Sequence, residues 1–390
     1  MLIIDKFNND KSKIFSSESF WVNTDAGKLL DITCGHTAYI YGYTNETIFK
    51  KMTDVQQEVP YSLHQSCTYE DDLAKKICEG TDFVSVAWAI SGSDGVEVAL
   101  YTNDNYWKQR GEHKPKVLTF GPNYHGATYL AQIFRQEQNN PNRCVMVEGP
   151  GWNDINEREM LENMCINRVR QALENDNEIG AVLMEGAPWP ERFRPWSESW
   201  WIQIRQVCDD FGVNLIVDDV FAGMGKTGYK FTHENYGITP DIACLGKSLT
   251  NGFSPLSCSC ATEEITYYAS KDFDYSHTWS PNMAGIGAGL GVFELFDTEQ
   301  IAQVNTRLHS IADKLKEDGL VTQIYSQGLL MQIDLTHDYD KSMLQRHGIN
   351  GFLKESPNTL AILICAHANA TEEFFVELEK RLTEALNDHL

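Results

Sequence analysis

From about Tyr69 to Leu290 the chain alternates short apolar runs with segments of helical length, and nothing else in it restricts the possible folds as much. The runs Val84–Ala89, Lys116–Phe120, Ile179–Met184 and Asn214–Val217 are each four to six residues long. Strand-sized runs separated by helix-sized ones are how parallel crossover units look in sequence. The expected class is therefore α/β, a mostly parallel sheet with helices on both faces. One helix, Trp200 to Phe211, should stop at Gly212, where a glycine can take the left-handed cap. Upstream, residues 14 to 43 offer short strands and turns: Phe20-Trp21-Val22, the turn Asp25-Ala26-Gly27-Lys28, and Leu29 to Ile32. Beyond Leu290 an amphipathic stretch runs to Lys316, then Leu329–Leu335 as a strand, then a helix opening at Thr371-Glu372-Glu373. This last part is expected to form a smaller α+β unit.

Two apolar runs end in ionisable residues. Leu215-Ile216-Val217 leads to Asp218 and Asp219, and Pro240 to Gly246 leads to Lys247. Strands ending this way present a carboxylate and an amine at one edge of a sheet. A lysine whose pKa is lowered by burial can attack a carbonyl and form a Schiff base. A carboxylate opposite it can keep a ring nitrogen protonated, as pyridoxal phosphate requires when it acts as an electron sink. The pairing of Lys247 with Asp218 points to that cofactor.

Composition narrows the partners. With 32 Lys and Arg against 55 Asp and Glu, the net charge is -23, so the surface repels nucleic acid and anionic lipid. An anionic ligand must then be held by local donors. The ten cysteines are scattered, and only Cys258 and Cys260 lie close together, at a spacing unlike that of zinc ligands. Cys144, Cys165, Cys208 and Cys244 sit in apolar stretches as core thiols. A reducing compartment fits this usage. The first residues, Met1 to Lys6, lack the apolar region of a signal peptide, and no run reaches bilayer length, so a cytoplasmic protein is expected.

Further runs carry chemistry or imitate it. Ser91-Gly92-Ser93-Asp94-Gly95 follows a strand and opens a helix, so its backbone N–H groups can cradle an anion, although capping alone would also explain it. Tyr124, after the strand ending at Phe120, can stack on a planar ring or be an ordinary core tyrosine. Gly225-Lys226-Thr227 and Gly246-Lys247-Ser248 end like a phosphate-binding P-loop. The glycine expected five residues before the second glycine is Val220 or Asp241, so neither forms one. Gly223 to Gly228 is expected to be a flexible loop. The aromatic run from Trp189 to Trp201 is explained by packing, yet its Arg192 and Arg194 could bind a carboxylate. No Ser-His-Asp set or metal cluster emerges from the eleven histidines.

Taken together, these runs resemble the class III aminotransferases, the fold-type-I pyridoxal-phosphate family that includes ornithine, diaminopelargonate and omega-amino-acid transaminases. The resemblance spans nearly the whole chain. Asp218 to Gly228 is similar to the family's D-E-V-x-T-G-F-G-R-T-G, and Pro240 to Pro255 to its lysine motif. Ser91-Gly92-Ser93 resembles the phosphate loop and Tyr124-His125-Gly126 the ring-stacking segment. Glu185 stands at the glutamate of V-E-P, His277-Thr278-Trp279-Ser280 at H-T-F-S, and Lys28 to Gly35 at K-x-Y-L-D-x-x-S-G. The resemblance implies a seven-stranded, mostly parallel sheet in a large domain of residues 51–290. A small domain of residues 291–390 would pack with an N-terminal segment, 1–50. It implies pyridoxal 5'-phosphate as a Schiff base on Lys247 and its ring nitrogen on Asp218. Its phosphate would lie on Gly92, Ser93 and Thr278, with Tyr124, His125 and Glu185 as further contacts. Thr278 would act on the neighbouring subunit, so a homodimer is implied.

Departures from the family pattern bear on the substrate. Asp219 replaces a glutamate and Phe221 a frequent glutamine. Pro281 and Met283 replace the glycine and proline of G-N-P, and Gly186 to Pro190 differs from P-V-Q-G. Leu363 occupies the place of the arginine in R-x-x-P-P-L, which often clamps a substrate α-carboxylate. Either the donor or acceptor lacks that carboxylate, or Arg192 or Arg194 binds it. The expected reaction is amino transfer between a primary amine or amino acid and a carbonyl acceptor. The alternatives are an aminomutase of the glutamate-1-semialdehyde type and an inactive cofactor-binding scaffold.

Overall fold

The structure, a computed structural model, describes residues 13–388 apart from 63, 64, 66, 136–139, 152, 153, 189–192, 341, 357 and 358. Its residues form two compact units. Glu46–Thr298 is one, and the described residues up to Asn45 together with those from Glu299 form the other.

In the second of these, the strands β1 (Ile14–Glu18), β2 (Trp21–Thr24) and β3 (Gly27–Asp31) make an antiparallel meander. In Glu46–Thr298 seven strands form one sheet: β4 (Phe83–Ala89), β5 (Lys116–Gly121), β6 (Cys144–Glu148), β7 (Ile179–Glu185), β8 (Asn214–Asp218), β9 (Ile242–Leu245) and β10 (Ser257–Thr262). Their order across the sheet is β4-β10-β9-β8-β7-β5-β6. All are parallel except β10, which runs against both its neighbours. The strands β11 (Val321–Gln327), β12 (Leu330–Leu335), β13 (Ile349–Asn350), β14 (Phe352–Ser356) and β15 (Thr359–Cys365) complete the set. Of these, β13 extends the meander beside β3, and the other four form a separate antiparallel sheet.

The central strands are buried on both faces, as the apolar run Ile179–Met184 requires of a covered parallel strand. Alternate side chains serve opposite layers. Val182, Met184, Leu215 and Val217 pack with the helices Arg158–Asn175 and Glu198–Phe211. Ala181, Leu183 and Ile216 pack with Gly92–Gln109 and Glu263–Ala269. The Glu198–Phe211 helix starts two residues earlier than its apolar pattern indicates, because Ser197 caps it by accepting from Trp200 N at 2.9 Å. Gly212 ends it at φ 58° as expected.

Unit boundaries at 45/46 and 298/299 differ from the sequence expectation of 50/51 and 290/291. The expected cuts fall inside the helices Glu46–Glu58 and Met283–Leu295, which pack together. Gly287 and Gly291 make this possible. A Cβ on Gly287 would lie 2.7 Å from Lys51 O, and one on Gly291 would lie 2.8 Å from Ile48 Cα. The amphipathic stretch to Lys316 is likewise two helices, since Met283–Leu295 ends before Thr298–Glu317 begins.

Candidate active site

Parallel strands bring their C-terminal ends to one edge, and in such sheets ligands bind outside that edge. Here β4, β5, β7, β8 and β9 deliver Gly92, His125, Glu185, Asp218 and Lys247 respectively. Register sets the spacing: Asp218 is paired with Glu185 on one side and with Cys244 on the other. Glycines then close the gaps. A Cβ on Gly92 would run into Val220 Cγ1, and one on Gly246 would lie 3.3 Å from Val220 Cγ1 and 3.5 Å from Gly92 Cα. The phosphate-loop candidate, the residues after Asp218 and the residue before Lys247 are thus in mutual contact.

Asp218 is buried. Its Oδ1 accepts from Val220 N at 3.1 Å, and its Oδ2 lies 2.9 Å from His125 Nδ1. His125 is held in turn by Thr119 Oγ1, 3.3 Å from Nε2, and Asn123 Nδ2 donates to the same hydroxyl at 3.0 Å. Asn123 Oδ1 is buried without a hydrogen-bond partner at this end of the sheet. The next loop residues are tied to the helix start, with Ala127 N donating to Ser93 Oγ at 3.0 Å. A Cβ on Gly126 would lie 2.7 Å from Ser93 Oγ, so only glycine lets these loops meet. Tyr124 is 45% exposed, and Arg135 lies over its ring, 4.8 Å from the centroid.

Lys247 begins the short turn Lys247–Thr250 in a left-handed backbone conformation, φ 47°, and its Nζ lies 5.1 Å from the Phe221 ring centroid. Such a conformation costs a β-carbon-bearing residue about 1–3 kcal/mol, and it collects at functional sites. Asp219 behaves unlike its neighbour. It is fully buried and accepts from Thr232 N at 2.8 Å and Thr232 Oγ1 at 2.6 Å. Burial pushes its carboxyl up to about 7, the Asp218 charge adds to this, and the Thr232 hydrogen bonds and Lys226 oppose it. It therefore does not line the ligand edge, because its carboxylate is fastened to the Thr232 turn.

Some sequence expectations change here. Gly223 to Gly228 is not a flexible loop: it is buried for most of its length and closed by Met224 N to Lys230 O at 2.7 Å and Gly225 N to Tyr229 O at 2.8 Å. Glu185 is buried, and its main-chain oxygen accepts from Trp196 Nε1 at 2.8 Å. Trp196 stacks on Trp200 with centroids 4.4 Å apart, so these two and Trp201 pack the core. Arg194 is buried there and donates to Phe193 O at 3.1 Å, whereas Arg192 lies outside the described residues. Thr278 is exposed on a turn, and its neighbours are anchored to Asp94 by Tyr275 OH at 2.7 Å and His277 Nε2 at 3.1 Å. That Asp94 anchor, Arg135 and the Asn123–Thr119 support were not anticipated. Asp94 and Asn123 have position as their sequence signal, just after strands that already carried site residues, whereas Thr119 and Arg135 have none. Leu363 is buried in β15, paired with Gln332 and Phe352.

The donor set suits pyridoxal 5'-phosphate. An amine and a buried carboxylate end adjacent strands, and a helix N-terminus with a serine hydroxyl stands within contact of both loops. The orphaned Asn123 oxygen marks the same end as polar.

Comparison with known proteins agrees. The sequence model of the family described as aminotransferase class-III matches residues 13–371. An adenosylmethionine-8-amino-7-oxononanoate aminotransferase of Methanocaldococcus jannaschii is 25% identical over 358 residues, covering 82% of this chain and 78% of that protein. An (R)-1-hydroxy-2-aminoethylphosphonate ammonia-lyase of Vibrio splendidus is 24% identical over 363 residues, 83% of this chain and 73% of its own. The fold matches an omega transaminase from Pseudomonas jessenii in complex with PMP, with TM-score 0.87 at 20% identity, over 97% of this chain and 92% of that one. The chain belongs to the class III aminotransferases, pyridoxal 5'-phosphate-dependent enzymes of fold type I.

Proposed function

We propose that the enzyme transfers an amino group between a primary amine or amino acid and a carbonyl acceptor, with Lys247 as the cofactor-linking amine and Asp218 as the partner of the ring nitrogen. The observation that carries this is the meeting of Gly92, Val220 and Gly246, which brings three chemically distinct loops to one place. When bound, the cofactor supplies a sink for the electrons left when the C–H bond beside the substrate nitrogen breaks. Asp218, oriented by His125 and Val220 N, holds the proton on the ring nitrogen. The N–H groups of Gly92 and Ser93 and the Ser93 hydroxyl would hold the phosphate, with Tyr124 beside the ring. Glu185 stays beside Asp218 as a further cofactor contact. Lys247 Nζ would serve as the general base for the proton on the substrate carbon.

Thr278, exposed on its turn, completes the phosphate site of a neighbouring copy, which makes the working form a homodimer. The buried Leu363 in place of the family arginine supports a substrate that carries no α-carboxylate at that position. All ten cysteines are free, which fits a cytoplasmic setting; among the described residues no helix is long and apolar enough to cross a membrane.

A second reading, in which the amine is eliminated or returned to the same molecule, rests on Phe221 beside Lys247 and on the ammonia-lyase relative. The separating experiment is the visible spectrum of the cofactor-loaded protein with a panel of amines and no acceptor. Bleaching, followed by recovery only when a carbonyl acceptor is added, is the expected result. Release of ammonia or an isomerised amine without any acceptor would establish the second reading instead.

A further inference from the structure

Lys226 is fully buried and donates from Nζ to Ser248 Oγ at 2.8 Å. Ser248, also fully buried, is the residue after Lys247. A buried ammonium requires a compensating charge. The Asp219 carboxyl, which the Lys226 charge draws downward against the larger effect of burial, is fixed in place nearby. Thr232 holds both its oxygens, and Gly186 packs so tightly on Oδ1 that no Cβ fits between them. A buried lysine therefore grips the turn that carries Lys247.

The two charged partners also depart together from the D-E-V-x-T-G-F-G-R-T-G pattern, with Asp219 for its glutamate and Lys226 for its arginine. The exchange keeps both charges. It replaces a planar fork with a compact ammonium, one of whose donors reaches Ser248. Lys247 needs such help. Its φ of 47° is maintained only if the surroundings over-determine it, and its turn is only four residues long.

We propose that Lys226 is a positioning residue for Lys247: by fixing Ser248 it holds the turn that aims the Lys247 amine. This rests on the assignment of Lys247 as the cofactor-linking residue. Lys226 does not touch the reacting atoms in this account, and it acts only through Ser248.

The test uses Lys226→Met, which keeps much of the volume without charge, Ser248→Ala, which removes the acceptor alone, and the double variant. Each full-length protein is loaded with pyridoxal 5'-phosphate and reduced with borohydride. The fraction of Lys247 carrying the label is then measured by peptide mass mapping, alongside kcat, KM and the thermal midpoint. Both single variants should lower the labelled fraction and reduce kcat by roughly 10- to 100-fold, the effect of a small misplacement, with KM nearly unchanged. The double variant should be no worse than the worse single one, because both act on one contact. Wild-type labelling and kcat in Ser248→Ala, or losses that multiply in the double variant, would overturn the proposal. Should Lys226→Met fail to fold, Ser248→Ala decides alone. A wild-type label on a residue other than Lys247 would instead sink the functional reading, and this proposal with it.

Discussion

Asp218 ends β8 and Asp219 comes next in the chain, yet they stand in different chemical worlds. Asp218 lies on the face shared with Ile216 and meets His125 and Val220 N at the edge where ligands bind. Asp219 begins the turn beyond β8 and is enclosed by Thr232 and Gly186, away from that edge. The same side chain is thus offered to a cofactor in one place and built into the scaffold in the next. The contrast shows why a catalytic carboxylate belongs at a strand end: the backbone fixes its direction, and the neighbouring residue is spent on holding the loop.

The contrast can be broken most directly at Asp218. Asp218→Asn should lower kcat about 10²- to 10³-fold for every amine that bleaches the cofactor band, because a preorganised charge is lost from the site. Removing its support should cost less. His125→Asn should reduce kcat about tenfold, what one hydrogen bond to a carboxylate is worth, measured under saturating cofactor.

Asp219→Asn should leave kcat within a few-fold of wild type and show itself in stability instead. The Asp219 pKa is raised in the folded protein to about 7, so its contribution is complete below the unfolded value and is lost as pH rises through about 7. Urea unfolding from pH 4 to 8 should show wild type losing ground to Asp219→Asn, by about 4 kcal/mol at most. A pH-independent difference would mean that Asp219 is ionised throughout. The smallest effect is expected at Arg194, whose head group is buried against its own loop. Arg194→Ala should leave KM for carboxylate substrates unchanged while lowering stability by about 1–3 kcal/mol, the cost of disturbing buried hydrogen bonds. If Arg192→Ala also leaves KM unchanged, neither arginine replaces the residue absent at Leu363.

The alternation of apolar runs already carried the α/β class, and Asp218 and Lys247 were visible as ionisable ends of apolar strands. Both follow from local pattern, since side-chain period and strand length are written in neighbouring residues. What the sequence hid is set by distant packing. Cys144–Glu148 is a short, half-buried edge strand and was not anticipated. The Glu46–Glu58 helix joins the large unit because glycines more than 200 residues away let it approach. Gly223 to Gly228 has the composition of a mobile loop, and burial together with hydrogen bonds to Asp219, Tyr229, Lys230 and Ser248 holds it. The standing of Asp219 was illegible for the same reason: its environment is made by Thr232 and Gly186, neither of which signals a carboxylate partner.

The most direct test of the contrast is chemical rescue with pyridoxal phosphate methylated on its ring nitrogen. Its permanent positive charge needs no carboxylate to hold a proton there. If Asp218 performs that task, the methylated cofactor should restore a large share of the kcat lost in Asp218→Asn and leave Asp219→Asn unchanged. Rescue of Asp219→Asn, or full activity of Asp218→Asn with the ordinary cofactor, would contradict the assignment of the two acids.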